Sequence, residues 1–316
     1  MPSDESRRPE RRGGSLRYPD FFIVGAPRCG TTFMFEYLSR HPDIYTSPRK
    51  EPQYFATDLD SGSYLDSLSF MRDRDEYLDL FSGARPGQLT GEASTWYLYS
   101  KDAARNIKAA NPHAHIIIML RDPVEMLYSL HGRRLYGGSE DLTRFEDALA
   151  AEAERKLGRL IPPRARNVKA LFYREVGRYS DQVKRYLDIF GKQRVHIVIF
   201  EDFRADPAAA YRGVLEFLDV DATFEPQFRV VNEGVARRSR RIQRLLLSPL
   251  VIRTARWALP QRARPLVGRA WDAINTRGTR RPPLDGAVAD KLRRDLYPDM
   301  VRLGELIGRD VAAIWK

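Results

Sequence analysis

The chain has 316 residues, a formal net charge of +11, 43% hydrophobic and 30% charged residues, a balance that suits a globular protein with one large core or two modest ones. One cysteine excludes an intrachain disulfide and a thiolate metal cage, and the basic excess favours anionic partners such as nucleotides, sulfated or phosphorylated compounds, or an anionic membrane face. No apolar run is long enough to span a membrane and the N-terminus lacks the apolar stretch of a signal peptide, so a cytoplasmic protein is expected.

Residues 1–17 are rich in Arg, Glu, Ser, Pro and Gly, and predict a disordered basic tail ahead of a single domain over 18–316. The apolar run Phe21-Phe22-Ile23-Val24 predicts a buried parallel strand. Gly25-Ala26-Pro27-Arg28-Cys29-Gly30-Thr31-Thr32 follows as a tight loop, and Phe33, Met34, Tyr37 and Leu38 then fall at helical spacing. Strand, glycine-bracketed loop and helix form a phosphate cradle, because loop and helix N–H groups and the helix dipole all favour an anion. The frame from Gly25 to Gly30 is that of a P-loop, but Thr31-Thr32 stand where a nucleotide triphosphatase carries Lys-Ser/Thr, and the cation sits inside the loop as Arg28. The missing lysine argues for a nucleotide with a short phosphate arm.

Residues 44–55 run as an extended segment broken by prolines, with Lys50-Glu51 set between Pro48, Pro52, Tyr54 and Phe55. A carboxylate in such a partly dry wall can serve as a general base; the plainer reading is a solvated ion pair. Residues 63–81 predict a loop and a helix. Gly91 to Tyr99 is small and polar, then aromatic, and either lines a pocket or packs. A short helix is expected over 102–111, capped by Ser100 or Asp102. His115 to Leu120 is the strongest strand signal, apolar and β-branched, with Arg121-Asp122-Pro123 at its carboxyl end, where open α/β sheets bind ligands. Ser129 lies two turns into the helix that Pro123 opens, and an arginine with a serine hydroxyl suits a phosphate monoester; pairing of Arg121 with Asp122 or Glu125 is the alternative.

Helices are expected over 145–157, 174–190 and 207–218, and a strand over 195–200 closed by Glu201-Asp202. The alternation predicts an α/β fold around a mostly parallel sheet flanked by helices. Residues 237–269 form a basic stretch with interleaved leucines, Trp257 and two prolines. It reads as an acceptor-site lid, a membrane-surface element or ordinary packed helices, and no nucleic-acid reading motif is present. A last helical segment covers 286–315.

These motifs together resemble the sulfotransferases that use 3′-phosphoadenosine 5′-phosphosulfate (PAPS), particularly bacterial ones and the heparan sulfate N- and 3-O-sulfotransferase domains. APRCGTT is similar to their 5′-phosphosulfate loop, IIIMLRDPVEMLYSLH to their 3′-phosphate element with the Arg121-to-Ser129 spacing preserved, and RKEPQYF to the stretch that holds their catalytic glutamate. Weaker echoes extend over nearly all of the chain after Tyr18. The resemblance implies a P-loop-like fold, with Pro27, Arg28, Cys29, Gly30, Thr31 and Thr32 on the 5′-phosphosulfate and Arg121 and Ser129 on the 3′-phosphate. It implies Glu51 as general base with Lys50 beside it, Arg28 as a catalytic cation, PAP as product, and no metal. It further implies an acceptor hydroxyl or amine on a carbohydrate, lipid or natural product, and no nucleic-acid partner. Two departures stand out. Arg28 replaces a lysine of the heparan sulfate enzymes, which keeps a fixed charge without a movable proton. A third nucleotide stretch, K-G-R-T in those enzymes, here reads Arg277-Gly278-Thr279-Arg280, with the central arginine displaced. Two competing classes are a P-loop small-molecule kinase, which would want Gly-Lys-Ser/Thr and a magnesium carboxylate, and a basic protein docking on membranes through 237–269, in either case at an inner membrane face if peripheral.

Overall fold

A computed structural model describes residues 17–228 and 282–316, and the backbone of 235–236 and 279–280. Residues 1–16, the basic stretch 237–269, Arg277 and Gly278 lie outside the described residues, and of Arg280 only the backbone is described.

Five strands make an all-parallel sheet: β1 (Phe21–Gly25), β2 (Ile44–Thr46), β3 (Leu89–Ala93), β4 (His115–Leu120) and β5 (Val195–Ile199), in the order β2-β3-β1-β4-β5. Every residue of β1 is buried, as is β4 after His115. This is why both read as continuous apolar runs instead of alternating ones: helices cover both faces of a parallel sheet. A separate two-residue pair, β6 (Val235–Ala236) with β7 (Thr279–Arg280), is antiparallel.

The strand order places the site. From β1 the chain turns toward β3 and β2, and from β4 it turns the other way to β5, so the connections diverge between the neighbours β1 and β4. A crevice opens at the carboxyl ends of strands at such a reversal. The loop after β1 and Arg121 after β4 therefore become neighbours. The Ala26 N–H donates to the Met119 carbonyl at 2.6 Å, which ties the start of the loop to the end of β4.

Several predicted helices are shorter than the sequence pattern suggests. Residues 145–157 divide into Phe145–Ala150 and Glu152–Lys156, and 174–190 into Tyr173–Val176 and Ser180–Phe190. At the second break a Cβ on Gly177 would lie 2.8 Å from Leu127 Cδ1, so close packing against the Pro123–Gly137 helix and its neighbour holds the turn there. Residues 63–81 hold two short helices, Tyr64–Ser67 and Arg74–Asp79, each capped by a side chain, Ser63 and Asp73. Ser100, not Asp102, caps the Ala103–Ala110 helix, accepting from the Ala103 N–H at 3.0 Å. The last segment is a helix, Gly286–Ile307, ended by left-handed Gly308, then a single turn, Val311–Ile314.

One core runs through all of this, from Phe21 to Trp315. At its back a fully buried ion pair, Arg155 with Glu140 at 2.7 Å, is completed by the Tyr173 hydroxyl on the same carboxylate. Burial opposes the Glu140 charge, but the Arg155 fork and the Leu142 N–H hold its carboxyl below its ordinary value. Strand β3 was not legible as a strand, because Leu-Thr-Gly-Glu-Ala lacks apolar continuity. Its glycine is explained by packing: a Cβ on Gly91 would sit 2.0 Å from Phe21 Cζ. Gly91→Ala should therefore strain the β1–β3 pairing and lower stability by about 1–3 kcal/mol, the usual cost of overpacking a filled core. An unchanged urea midpoint would show that Phe21 can move aside freely.

Candidate active site

The loop between β1 and the Thr31–Leu38 helix is built from two constraints. Gly30 takes a left-handed φ of 83° at the helix N-cap, where an added Cβ would press on the Phe200 ring at 3.0 Å, so only glycine fits without strain. The helix then begins at Thr31 with no side-chain cap, leaving its first N–H groups at the loop mouth. Thr31 is buried and Thr32 exposed, while Pro27 and Cys29 turn into the core. The Cys29 thiol is wholly buried and donates to the Pro27 carbonyl at 3.4 Å. Burial pushes it up to about 12, so its side chain is a packing element and only its backbone faces the loop.

Arg28 is the one exposed member of the loop, with a left-handed φ of 65°. Its Nε donates to the Ser129 hydroxyl at 3.0 Å. The two residues assigned from sequence to opposite ends of a nucleotide are thus joined directly, 101 positions apart in the chain. The Arg28 guanidinium is held below its ordinary value, first by desolvation in its surroundings and then by repulsion from Arg133 and Arg121. Its surface exposure and this desolvation agree if the side chain opens to solvent on one side and is crowded on the others. Arg121 is buried at the end of β4, stacked over the Phe200 ring at 4.8 Å, with Glu125 Oε2 at 3.7 Å. Its pairing with Glu125, the alternative weighed from sequence, exists, but Glu125 is half exposed and such helical surface pairs contribute little. Arg133 was not singled out from sequence. It stands four residues after Ser129, one turn along the same helix face, and helical spacing from an assigned residue was the signal that could have found it.

Asp122 caps the Pro123–Gly137 helix, accepting from the Val124 N–H at 2.8 Å. Burial raises its carboxyl above the ordinary value, against the Val124 N–H and Arg293. The strand-end pair Glu201-Asp202 is engaged in structural contacts: Glu201 accepts from the Asp122 N–H and from Trp315 Nε1 at 3.0 Å, and Asp202 pairs with Arg309. No cluster of three potential metal ligands occurs among the described residues. On the same helix the Tyr128 hydroxyl donates to the Pro282 carbonyl at 2.8 Å, which brings the chain just after Arg280 to the side of Ser129.

On the other flank, Glu51 and Gln53 both adopt left-handed φ values, 59° and 57°, uncommon for such residues and concentrated at functional sites in folded proteins. The backbone is held there by the Glu51 N–H to the Ala93 carbonyl and by the Gln53 N–H to the Ser94 hydroxyl. The Glu51 carboxylate receives Lys50 Nζ at 2.8 Å, Gln53 Nε2 at 2.6 Å, the Thr95 N–H at 2.9 Å and the Thr95 hydroxyl at 3.1 Å. Lys50 and Glu51 are therefore an ion pair, as the plain reading has it, but one side of a wider set of donors that gives the carboxylate a single orientation. Thr95 also links this flank to the loop: a Cβ on Gly25 would lie 2.8 Å from the Thr95 carbonyl oxygen. Three arginines at the loop after β1 and a partly exposed, oriented carboxylate are thus fixed at the carboxyl ends of the strands.

Comparison with known proteins shows the family. A family model described as a sulfotransferase domain matches residues 18–239. Carbohydrate sulfotransferase 15 of Mus musculus is 26% identical, over 82% of this chain and 52% of that protein. The human bifunctional heparan sulfate N-deacetylase/N-sulfotransferase 2 is 28% identical over 65% of this chain and 22% of that protein. A sulfotransferase crystal structure from Alicyclobacillus acidocaldarius superposes with a TM-score of 0.70 at 31% identity, covering 95% of this chain and 99% of that one. The chain spans about half the length of the first of these curated relatives. From the geometry of the loop, iodoacetamide at about pH 8 should leave Cys29 of the native protein unmodified and react once the chain is denatured, since the thiolate is the nucleophile. Rapid alkylation of the native form would show that the loop opens its core side to solvent.

Proposed function

Because the chain belongs to the sulfotransferase domain family, we propose that it transfers a sulfuryl group from PAPS to a hydroxyl or amine of an acceptor. The observation that carries this reading is the Arg28–Ser129 bond, set where Arg121 and Arg133 crowd Arg28 with like charge. A site that gathers guanidiniums against their mutual repulsion is made for a multiply charged anion. Nucleotide donor sets without Gly-Lys-Ser/Thr fit a kinase poorly, and the chemistry of three arginines, a serine and helix N–H groups fits a nucleotide with phosphate at both ends of its ribose.

PAPS would supply an activated sulfuryl group on a 5′-phosphate leaving group. Arg28, the loop N–H groups and Thr31 and Thr32 would bind that end and stabilise negative charge as it grows on the bridging oxygen. Arg121 and Ser129 would bind the 3′-phosphate; Glu125, exposed and weakly held, yields Arg121 readily. Arg277, Gly278 and Arg280 would join the nucleotide contacts, a part of the reading that rests on the sequence resemblance alone. Glu51 would take the acceptor proton, with Lys50, Gln53 and Thr95 keeping its oxygens aimed. The relatives named for carbohydrate and heparan sulfate support a carbohydrate acceptor over the lipid or natural-product alternatives. A cytoplasmic location, with any membrane contact through 237–269, is part of this proposal and rests on sequence alone.

Arg121→Ala should weaken PAP binding by about 1.5–3 kcal/mol, the value of hydrogen bonds to a charged group, as read by calorimetry. Unchanged PAP affinity would remove Arg121 from the 3′-phosphate. Glu51→Gln should lower turnover by about 10²–10⁴ with PAP affinity intact, the range for loss of a general base. Near-normal turnover in that variant would take Glu51 out of the mechanism.

A further inference from the structure

Behind Glu51 lies a second carboxylate that the mechanism above does not use. Glu92, in the middle of β3, has no exposed surface. Its Oε1 accepts from the Tyr77 hydroxyl at 2.9 Å and the Tyr97 hydroxyl at 2.8 Å, and its Oε2 accepts from the Ser94 hydroxyl at 2.9 Å. Ser94 passes the connection on: its oxygen accepts the Gln53 N–H at 3.1 Å, and the Gln53 amide donates to Glu51 at 2.6 Å. The next residue, Thr95, supplies Glu51 with both its N–H and its hydroxyl. Two routes therefore lead from Glu92 to Glu51, both through Ser94.

We propose that Glu92 is a positioning residue for Glu51, one that holds the Ser94-Thr95 turn in its productive form only while its own carboxylate is ionised. This rests on the functional reading of Glu51 given above. An ionised carboxylate accepts all three hydroxyls. Once protonated, it carries a donor that only Ser94 is placed to accept, because both tyrosines already donate to the other oxygen. Ser94, itself without exposed surface, would then receive two protons from Glu92 and Gln53 and have to send its own elsewhere. A buried hydroxyl cannot lose its acceptor without cost, so the turn that orients Glu51 shifts.

The groups facing Glu92 come from three elements: Tyr77 on the Arg74–Asp79 helix, Ser94 and Tyr97 at the exit of β3, and the Glu51 charge from the segment after β2. Burial raises the Glu92 carboxyl from 4.5 to about 7, against the pull of the three hydroxyls and with a smaller push from Glu51. The change of state thus falls near neutrality. The signs are opposite for activity and stability. A carboxyl raised in the fold binds its proton more tightly there than in the unfolded chain, so its stabilising share is complete below 4.5 and lost as pH rises through about 7. Activity is present above about 7 and lost below it.

The test follows PAP release from PAPS, with N-desulfated heparan sulfate as acceptor, across pH in wild type, Glu92→Gln and Tyr77→Phe. Wild-type turnover should fall about ten-fold per pH unit on the acid side, as one protonation requires. Glu92→Gln, which can donate to Ser94 and still accept from both tyrosines, mimics the protonated form. It should lack the acid limb and stay near the low-pH rate throughout, with PAP affinity unchanged. Tyr77→Phe removes one donor to the charge and should move the limb to higher pH. In urea, the wild type should lose stability relative to Glu92→Gln as pH rises from about 4.5 to about 7, and level off above that. An acid limb at the same pH in all three proteins, or wild-type turnover in Glu92→Gln, overturns the proposal while leaving the sulfuryl-transfer reading intact. The absence of the urea difference overturns it without reference to any reaction. No PAP release by the wild type at any pH together with no PAP binding by calorimetry, with that difference present, sinks the functional reading and reduces Glu92 to a structural carboxyl.

Discussion

Like charge held close is the constraint on which the site depends. Arg28, Arg121 and Arg133 stand near enough for the last two to depress the first, so their mutual repulsion has to be offset by the rest of the fold. They are kept by what lies beneath. Arg121 follows β4, Arg28 sits in the loop that leaves β1, and the two strands pair through the middle of the core, with a shift of register between Ile23 and Gly25. The repulsion is paid by the burial of two apolar strands on both faces. Each buried aliphatic or aromatic side chain contributes about 1.5–3 kcal/mol, so a few of them outweigh the electrostatic cost near a surface. In the proposed function a polyanion would relieve that repulsion.

The carboxylate flank solves the converse problem. The general-base role proposed for Glu51 needs it ionised, accessible and aimed at once, whereas an exposed glutamate is ordinarily free to rotate. Here the left-handed backbone at Glu51 and Gln53 turns Glu51 back onto its own donors, and Thr95 binds it from the end of β3. That arrangement needs a stable platform under Thr95. Glu92 and its three hydroxyls provide one, at the cost of burying a carboxyl in the sheet. A polar group in a buried strand destabilises unless every lone pair is used. Its presence therefore follows from what it supports more than from the packing of β3 itself.

The cation flank and the carboxylate flank meet at Gly25, over which the Thr95 carbonyl lies. A side chain there would separate β1 from the turn after β3 and, with it, the phosphate loop from Glu51. The glycines of this site act less as flexible points than as places where two backbones must touch.

Much of this was legible in the chain itself. Continuous apolar runs at 21–24 and 116–120, glycines five apart, Pro123 at a helix start and the Arg121-to-Ser129 spacing are all local patterns, and local sterics and hydrogen bonding determine their structure. They marked the loop, the end of β4 and Glu51 as candidates. What they left open depends on neighbours distant in sequence. Strand β3 is a strand because β1 and β2 pair with it, not because its residues prefer one. Arg28 meets Ser129 because β4 lies beside β1. Arg133 joins through a helix turn whose direction is set by packing, and the break in 174–190 falls at Gly177, where Leu127 packs too close for a side chain. Sequence determined which residues could do the chemistry, since residue type and short-range spacing are properties of the chain alone. Tertiary structure decided which of them meet, since strand order and close packing are settled only when the whole core is buried at once.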